Sequence, residues 1–228
     1  MRLSIVMATR RDKDLLHKCI KSLNDKAKGA VELILGMDYD AVVPVDRSKY
    51  NNLSIITVLR EQSDNMTEDY YNMLARVTSG DMIMPFTDDA TMLTRHYDLI
   101  LEKALKPYPM FLGDTKNNMR RKDEPFASFP VISRQSVELL GWFMFPYFRA
   151  WDTDKLTYSI YKQAGLVVDC QKVVIRHNWG VEDEAHVKMK RVYAEDVSGK
   201  GCAPVVVTKE VQMLRKYSSL INKSNGSV

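Results

Sequence analysis

Residues Leu3 to Ala8 (LSIVMA) form an apolar run interrupted only by Ser4, almost at the first residue. A strand that is apolar on successive positions is buried on both faces, and such strands belong to parallel sheets covered by helices. The neighbouring segments agree. Asp12 to Lys28 carries Leu15, Leu16, Cys19, Ile20 and Leu23 at spacings of three and four, the stripe of an amphipathic helix that Gly29 stops. Val31 to Met37 and Asn52 to Leu59 read as strands, Thr67 to Val77 as a helix with an acidic first turn, and Met82 to Phe86 as a fourth strand. This order predicts an α/β domain with a mostly parallel, doubly wound sheet and helices on both faces.

The second half is less regular. Helices are expected over Tyr97 to Leu105, Arg134 to Leu140 and Asp152 to Ala164, the last two stopped by Gly141 and Gly165. Strands are expected from Met110 and over Leu166 to Ile175. Asn117 to Pro130, polar and containing proline, reads as a mobile loop, and Ser198 to Pro204 as a flexible linker. Thr208 to Asn222 reads as an amphipathic helix using Val211, Leu214 and Leu220.

Composition excludes several classes. With 228 residues, 45% of them hydrophobic and 27% charged, the chain is long enough to bury a core without disulfide or metal staples. Cys19, Cys170 and Cys202 are an odd number without CxxC spacing, so neither a disulfide framework nor a zinc site is expected. No segment approaches the roughly 20 apolar residues of a membrane span. The first residues turn charged too soon for a signal peptide, so the expected location is cytoplasmic. The net charge of +4 is unevenly placed: from Val187 onward eight Lys/Arg face three Asp/Glu, with a smaller cluster at Arg120, Arg121 and Lys122. A basic C-terminus can attract nucleic acid or another anionic surface, or simply be solvated.

In a parallel α/β sheet, ligands bind beyond the carboxyl ends of the strands. Three strands here end in polar groups: Thr9-Arg10-Arg11, Asp38-Tyr39-Asp40 and Thr87-Asp88-Asp89. Adjacent carboxylates after an apolar strand call for a cation, and Mg²⁺ or Mn²⁺ with a bound diphosphate is the natural partner.

The opening resembles that of the GT-A glycosyltransferases of the large inverting family two. Their typical start, SIIIPTYNRADLLRRCLESL, lines up without gaps with Ser4 to Leu23. In the family an acid ending the second strand recognises the nucleotide base; Asp38 or Asp40 is its counterpart. Asn72, Gly80-Asp81, the strand to Phe86 and Thr87-Asp88-Asp89 then fall in the family's order. The Thr-Asp-Asp form resembles that of the spore-coat polysaccharide glycosyltransferases. Gly141, Trp142-Phe143 and Trp151-Asp152-Thr153-Asp154 resemble the region of the catalytic base, with Trp151 in place of the usual Glu. His177, after Val173 to Arg176, is similar to the strand-end His that helps hold metal or diphosphate.

The resemblance spans roughly residues 3 to 180 and implies a metal-dependent inverting transferase using a nucleotide sugar, with UDP the expected carrier. Residues 1–90 would form its nucleotide-binding half, 91–180 its acceptor half, and 181–228 a basic extension. It implies donor contacts from Ala8, Thr9, Arg11, Asp38, Asp40, Asn72 and Asp88, and Mn²⁺ or Mg²⁺ held by Asp89 and His177. The base is Asp152, with Asp154 the alternative. Arg10 and Arg11 replace an aromatic and an Asn, and a cation there can meet a phosphate. The acceptor is a hydroxyl of a glycan or glycolipid or, as second choice, of a hydroxymethylated base in phage DNA, which the basic C-terminus would suit. Aromatics from Phe143 to Trp151 read as core and lid packing, or as a platform for a sugar ring.

Two other readings bear on the same residues. Thr87 and Trp151, where the family has acids, would suit a nucleotide-binding module without catalysis. A nucleotidyltransferase would want a glycine-rich phosphate loop after the first strand, and MATRRDKD has no glycine.

Overall fold

A computed structural model describes residues 1–9, 13–118, 126–178, 184–200 and 208–225. Eight strands form one sheet: β1 (Leu3–Thr9), β2 (Val31–Asp38), β3 (Leu53–Arg60), β4 (Met82–Thr87), β5 (Ala90–Met92), β6 (Leu112–Asn117), β7 (Val131–Ser133) and β8 (Val167–His177). Their order is β3-β2-β1-β4-β7-β6-β8-β5. The first four pair in parallel, as expected. The second half makes the sheet mixed, because β7 runs antiparallel to both β4 and β6. β6 and β8 are again parallel, and β5 caps the far edge antiparallel to β8. Two reversals cancel, so β1, β2, β3, β4, β6 and β8 all end at one edge of the sheet.

Alternation along the buried strands divides their side chains between two cores. Ile5, Met7, Leu33, Leu35, Met84 and Phe86 face α1 (Lys13–Lys26) and α3 (Tyr97–Leu105). Val6, Ile34 and Ile83 face the other layer, built partly from α2 (Met73–Arg76) and α5 (Thr153–Ala164). The double winding predicted from the run at Leu3 is thus present. Each fully buried aliphatic side chain contributes about 2 kcal/mol of burial.

α4 (Arg134–Leu140) has the expected bounds, with Ser133 as its N-cap. Three short elements had no sequence signal: the three-residue strands β5 and β7 and a 3₁₀ turn at Arg47–Lys49. The helix expected over Thr67 to Val77 begins with π turns at Thr67–Asn72 before α2. α6 (Glu184–Lys200) takes in Ser198 to Lys200, so the linker expected over Ser198 to Pro204 does not begin at Ser198. α7 (Thr208–Asn225) packs on α4 and α5, and its Val211 and Leu214 are buried in the second core. Of the loop expected over Asn117 to Pro130, Asn117 closes β6. Its central residues, including Arg120, Arg121 and Lys122, lie outside the described residues, as do Arg10, Arg11 and Cys202. Cys19 and Cys170 are buried and free. Among the described residues no helix is long and apolar enough to cross a membrane.

Candidate active site

The register of β1 sets the geometry of the edge. Ala8 lies between Gly36 and Thr87, and Thr9 pairs with Met37, so the ends of β1, β2 and β4 are level. The buried Thr9 hydroxyl donates to Asp88 Oδ2 at 2.7 Å, tying the last residue of β1 to the acidic turn after β4. Behind that turn, the Cys19 thiol of α1 contacts the Thr87 carbonyl oxygen at 3.4 Å. Burial pushes this thiol well up, and the charges of Asp88 and Asp89 add to the effect. It therefore serves as packing and not as a thiolate.

Asp89 meets His177. Its Oδ1 is 3.1 Å from the imidazole Nε2, and the side chains are only 11% and 17% exposed. The pairing of β5 with β8 causes this meeting, since Ala90 is in register with His177 and Asn178 N–H donates to the Asp89 carbonyl oxygen. Asn118 secures the other side. Its side chain accepts from His177 N–H at 2.7 Å and donates to the His177 carbonyl oxygen at 2.9 Å. The edge of Phe129 rests against the imidazole with ring centroids 5.7 Å apart.

The two acids after β2 differ. Asp38 is fully buried and accepts from the Tyr70 hydroxyl at 2.6 Å. Burial and that carboxylate push the Tyr70 phenol up to about 12, so it stays a donor. The Arg60 guanidinium sits over the Tyr70 ring, 4.2 Å from its centroid. Asp40 is exposed, so of the two it is the more accessible to a ligand at this corner.

Asn72, expected among the donor contacts, makes its hydrogen bonds to protein groups. It is 1% exposed, and its amide nitrogen donates to Glu68 and to the Met144 carbonyl. Its carbonyl accepts from Phe143 N–H and Met144 N–H. Both donors and both acceptor positions are therefore engaged by protein groups. This side chain fastens the segment Phe143–Met144, and a direct donor contact would require breaking one of those bonds.

α5 ends at Gly165, which turns the chain into β8, and the helix packs against that strand. Asp152 precedes α5 in a left-handed conformation (φ 62°, ψ 4°), which Asp tolerates better than most residues and which often marks a functional position. Its Oδ2 accepts from the Tyr193 hydroxyl at 2.5 Å, and its Oδ1 is 3.0 Å from Lys155 Nζ. Burial, helped by the charge of Asp152, raises the half-buried Asp154 carboxyl to about 7. A ladder of rings, Trp142, Phe145, Tyr147 and Phe148, leads to Tyr193 and Trp151.

The structure thus joins Thr9 with Asp88, and Asp89 with His177, and sets Asp152 beside Lys155 and Tyr193. Sequence reasoning missed Asn118, Phe129, Tyr70, Lys155 and Tyr193. None stands in a motif, and each is found only through its partner across the fold.

An Asp oxygen and an imidazole nitrogen in contact form a donor set that fits a divalent ion, Mn²⁺ better than Mg²⁺ because of the nitrogen. Among the described residues no group of three or more His, Cys, Asp or Glu is gathered to hold a metal. Two protein ligands would leave the remaining positions to a diphosphate and water.

No family model and no curated protein matches the chain. Solved structures do. The crystal structure of TarS from S. aureus superposes with a TM-score of 0.60 at 11% identity, covering 95% of this chain and 43% of TarS. The chain thus spans less than half of that protein. TarS residues 1–349 in complex with UDP-GlcNAc match at 0.58 and 11%, covering 95% of this chain and 71% of that one. The mannosyltransferase PcManGT from Pyrobaculum calidifontis, in complex with GDP-Man and Mn²⁺, matches at 0.61 and 10%, covering 100% and 76%. The chain has the GT-A fold, the expected class.

Proposed function

We propose that this protein transfers a sugar from a nucleotide sugar to a hydroxyl acceptor, using a divalent metal and inverting the anomeric centre. The observation that carries this reading is the Asp89–His177 pair, brought together at 3.1 Å beside the Thr9–Asp88 contact at the edge where GT-A folds bind donors. The neighbours solved with UDP-GlcNAc, and with GDP-Man and Mn²⁺, support the donor class and the metal. Asp89 and His177 would hold the ion, preferably Mn²⁺, which would neutralise charge developing on the diphosphate leaving group. Asp88, positioned by Thr9, borders the same place. Ala8 and Thr9 would line the floor under the donor. Asp40, with Asp38 behind it, would meet the base, and Arg11 a phosphate.

Asp152 is the proposed base. A carboxylate opposite the leaving group takes the proton of the attacking hydroxyl, and a single displacement inverts the centre. Screening hydrolysis of UDP- and GDP-sugars with and without Mn²⁺ tests the reading. Metal-dependent release of a nucleoside diphosphate from one of them is expected. Tight UDP or GDP binding without turnover would instead favour the non-catalytic module suggested by Thr87 and Trp151.

A glycan or glycolipid is the first choice of acceptor. The outward side of α7, with exposed Lys209 and Lys216, supports keeping a modified base in DNA as the second. Duplex binding through such cations weakens steeply as salt rises, whereas a neutral glycan acceptor shows little salt dependence.

A further inference from the structure

We infer that Tyr193 of α6 is a positioning residue for Asp152, so that the segment after residue 181 completes the acceptor side of the site. This rests on the reading of Asp152 as the base. The geometry has three parts. The phenol donates to Asp152 Oδ2 while Lys155 holds Oδ1, so each carboxylate oxygen is fixed from a different helix. The Tyr193 ring is itself held, with Phe148 and Trp151 centroids each 5.7 Å away. The rotation of α6 is set one turn further on. Buried Asp196 takes Arg149 N–H at 2.7 Å and Arg149 Nε at 2.9 Å, and Glu195 takes the same guanidinium at 3.0 Å.

Tyr193 and Asp196 are three residues apart on α6, and Arg149 and Asp152 are three residues apart on the facing segment. On α6, residues at that spacing share a helix face, so the Arg149–Asp196 pair helps aim the phenol at the turn that carries Asp152. Val192, buried beside them, offers its carbonyl oxygen as a further acceptor for Arg149, and Lys188 pairs with Asp64 near the start of α6. A base attached at a left-handed residue before a helix can swing about its side-chain torsions. Two fixed donors confine it to one orientation, which shortens the search for the productive geometry.

The test is a double-mutant cycle on hydrolysis of UDP-GlcNAc or GDP-mannose, whichever is turned over with Mn²⁺. Tyr193→Phe keeps the ring against Phe148 and Trp151 and removes only the donor. It should lower kcat about tenfold, as loss of a hydrogen bond to a charged group does, with the donor KM unchanged. In an Asp152→Asn background the same substitution should change kcat by less than about twofold, because the residue through which it acts is gone. An equal loss in both backgrounds overturns the inference and assigns Tyr193 to packing, while the base reading stands. An unchanged kcat for Tyr193→Phe also overturns it. If Asp152→Asn alone leaves kcat intact, the base reading falls and the positioning role with it. Arg149→Met, which removes the guanidinium bonds to Asp196, Glu195 and the Val192 carbonyl but keeps the backbone N–H bond to Asp196, should lower kcat in part without touching Asp152 or the phenol, and full activity in that variant counts against the inference.

Discussion

Asp89 and His177, 88 positions apart in sequence, stand with Oδ1 and Nε2 separated by 3.1 Å because the short strand β5 pairs antiparallel with the end of β8. Neither residue is brought there by its own motif. The pair depends on a three-residue ladder, Ala90 to Met92 against Ile175 to His177, and on Asn118 gripping both backbone groups of His177.

Asp89→Ala should therefore abolish metal-dependent binding of a nucleoside diphosphate while leaving the fold intact, since the side chain is at the rim and not in a core. Titration calorimetry with UDP and Mn²⁺ measures it. Unchanged affinity and metal dependence would remove this assignment.

Asp152→Asn should preserve donor affinity while turnover falls by about 10²–10⁴-fold, the range for loss of a general base. Asp154→Asn should be milder, because Asp154 sits in the first turn of α5 with its carboxylate accepting from Lys155 N–H, whereas Asp152 stands before the helix in its left-handed conformation. Parallel measurement of turnover and donor affinity decides. A larger loss at Asp154 moves the base to that residue.

Asp154 also predicts a pH dependence of stability. Its folded value, about 7, lies above the ordinary 3.8, so its stabilising contribution is full below 3.8 and lost as pH rises through 7. Asp154→Asn, which cannot ionise, should melt higher than wild type above pH 7 and not at pH 3.5. Melting curves that stay parallel from pH 3.5 to 8.5 would count against a shifted carboxyl.

Asn72→Ala removes the acceptor for two buried N–H groups, those of Phe143 and Met144. Each unsatisfied group costs about 1–3 kcal/mol, so a loss of at least about 2 kcal/mol is expected in denaturant unfolding. A variant with native stability and weakened donor binding would instead return Asn72 to the donor site.

Glu32 gives the acid counterpart. Burial alone would raise its carboxyl, but hydrogen bonds from Ser4 and Ser79 together with the charge of Arg2 outweigh this and hold it below the ordinary 4.5. Its contribution is therefore full above 4.5 and lost as pH falls through the lower folded value. Glu32→Gln should cost about 2 kcal/mol at pH 7, with the deficit shrinking in acid. A deficit that does not change with pH would make the effect one of shape. Gly80, whose added Cβ would lie 2.5 Å from Ser4 Oγ and 2.7 Å from the Arg2 carbonyl oxygen, closes the same network.

The first half of the chain was legible because its signals are local. Continuous apolar runs mark β1, β2 and β4, and the stripe Leu16, Cys19, Ile20, Leu23 is the buried face of α1. The elements that were missed are those whose reason lies elsewhere in the chain. β5 and β7 have three residues each, too few to show alternation, and exist because β8, β4 and β6 offer them edges. α6 gave no clear stripe, since Val187 is exposed while Val192 is buried, and its placement depends on Arg149 meeting Asp196. Asp89 was marked by its place after an apolar strand, and both Asp89 and Asp152 by the resemblance to the GT-A glycosyltransferases. Asn118, Phe129 and Tyr193 carry no such mark, only a distant partner.

α7 lends Val211 and Leu214 to the second core, ties Arg215 to the Gln163 carbonyl oxygen of α5, and leaves Lys209 and Lys216 exposed. Cutting the chain at residue 207 would then expose the apolar flank of α5, whereas a merely tethered basic arm could be cut away at no cost to the fold. The same attachment limits what these cations can do. They occupy set points on a rigid wall instead of sweeping a volume, so a polyanion must match their spacing to gain from more than one of them.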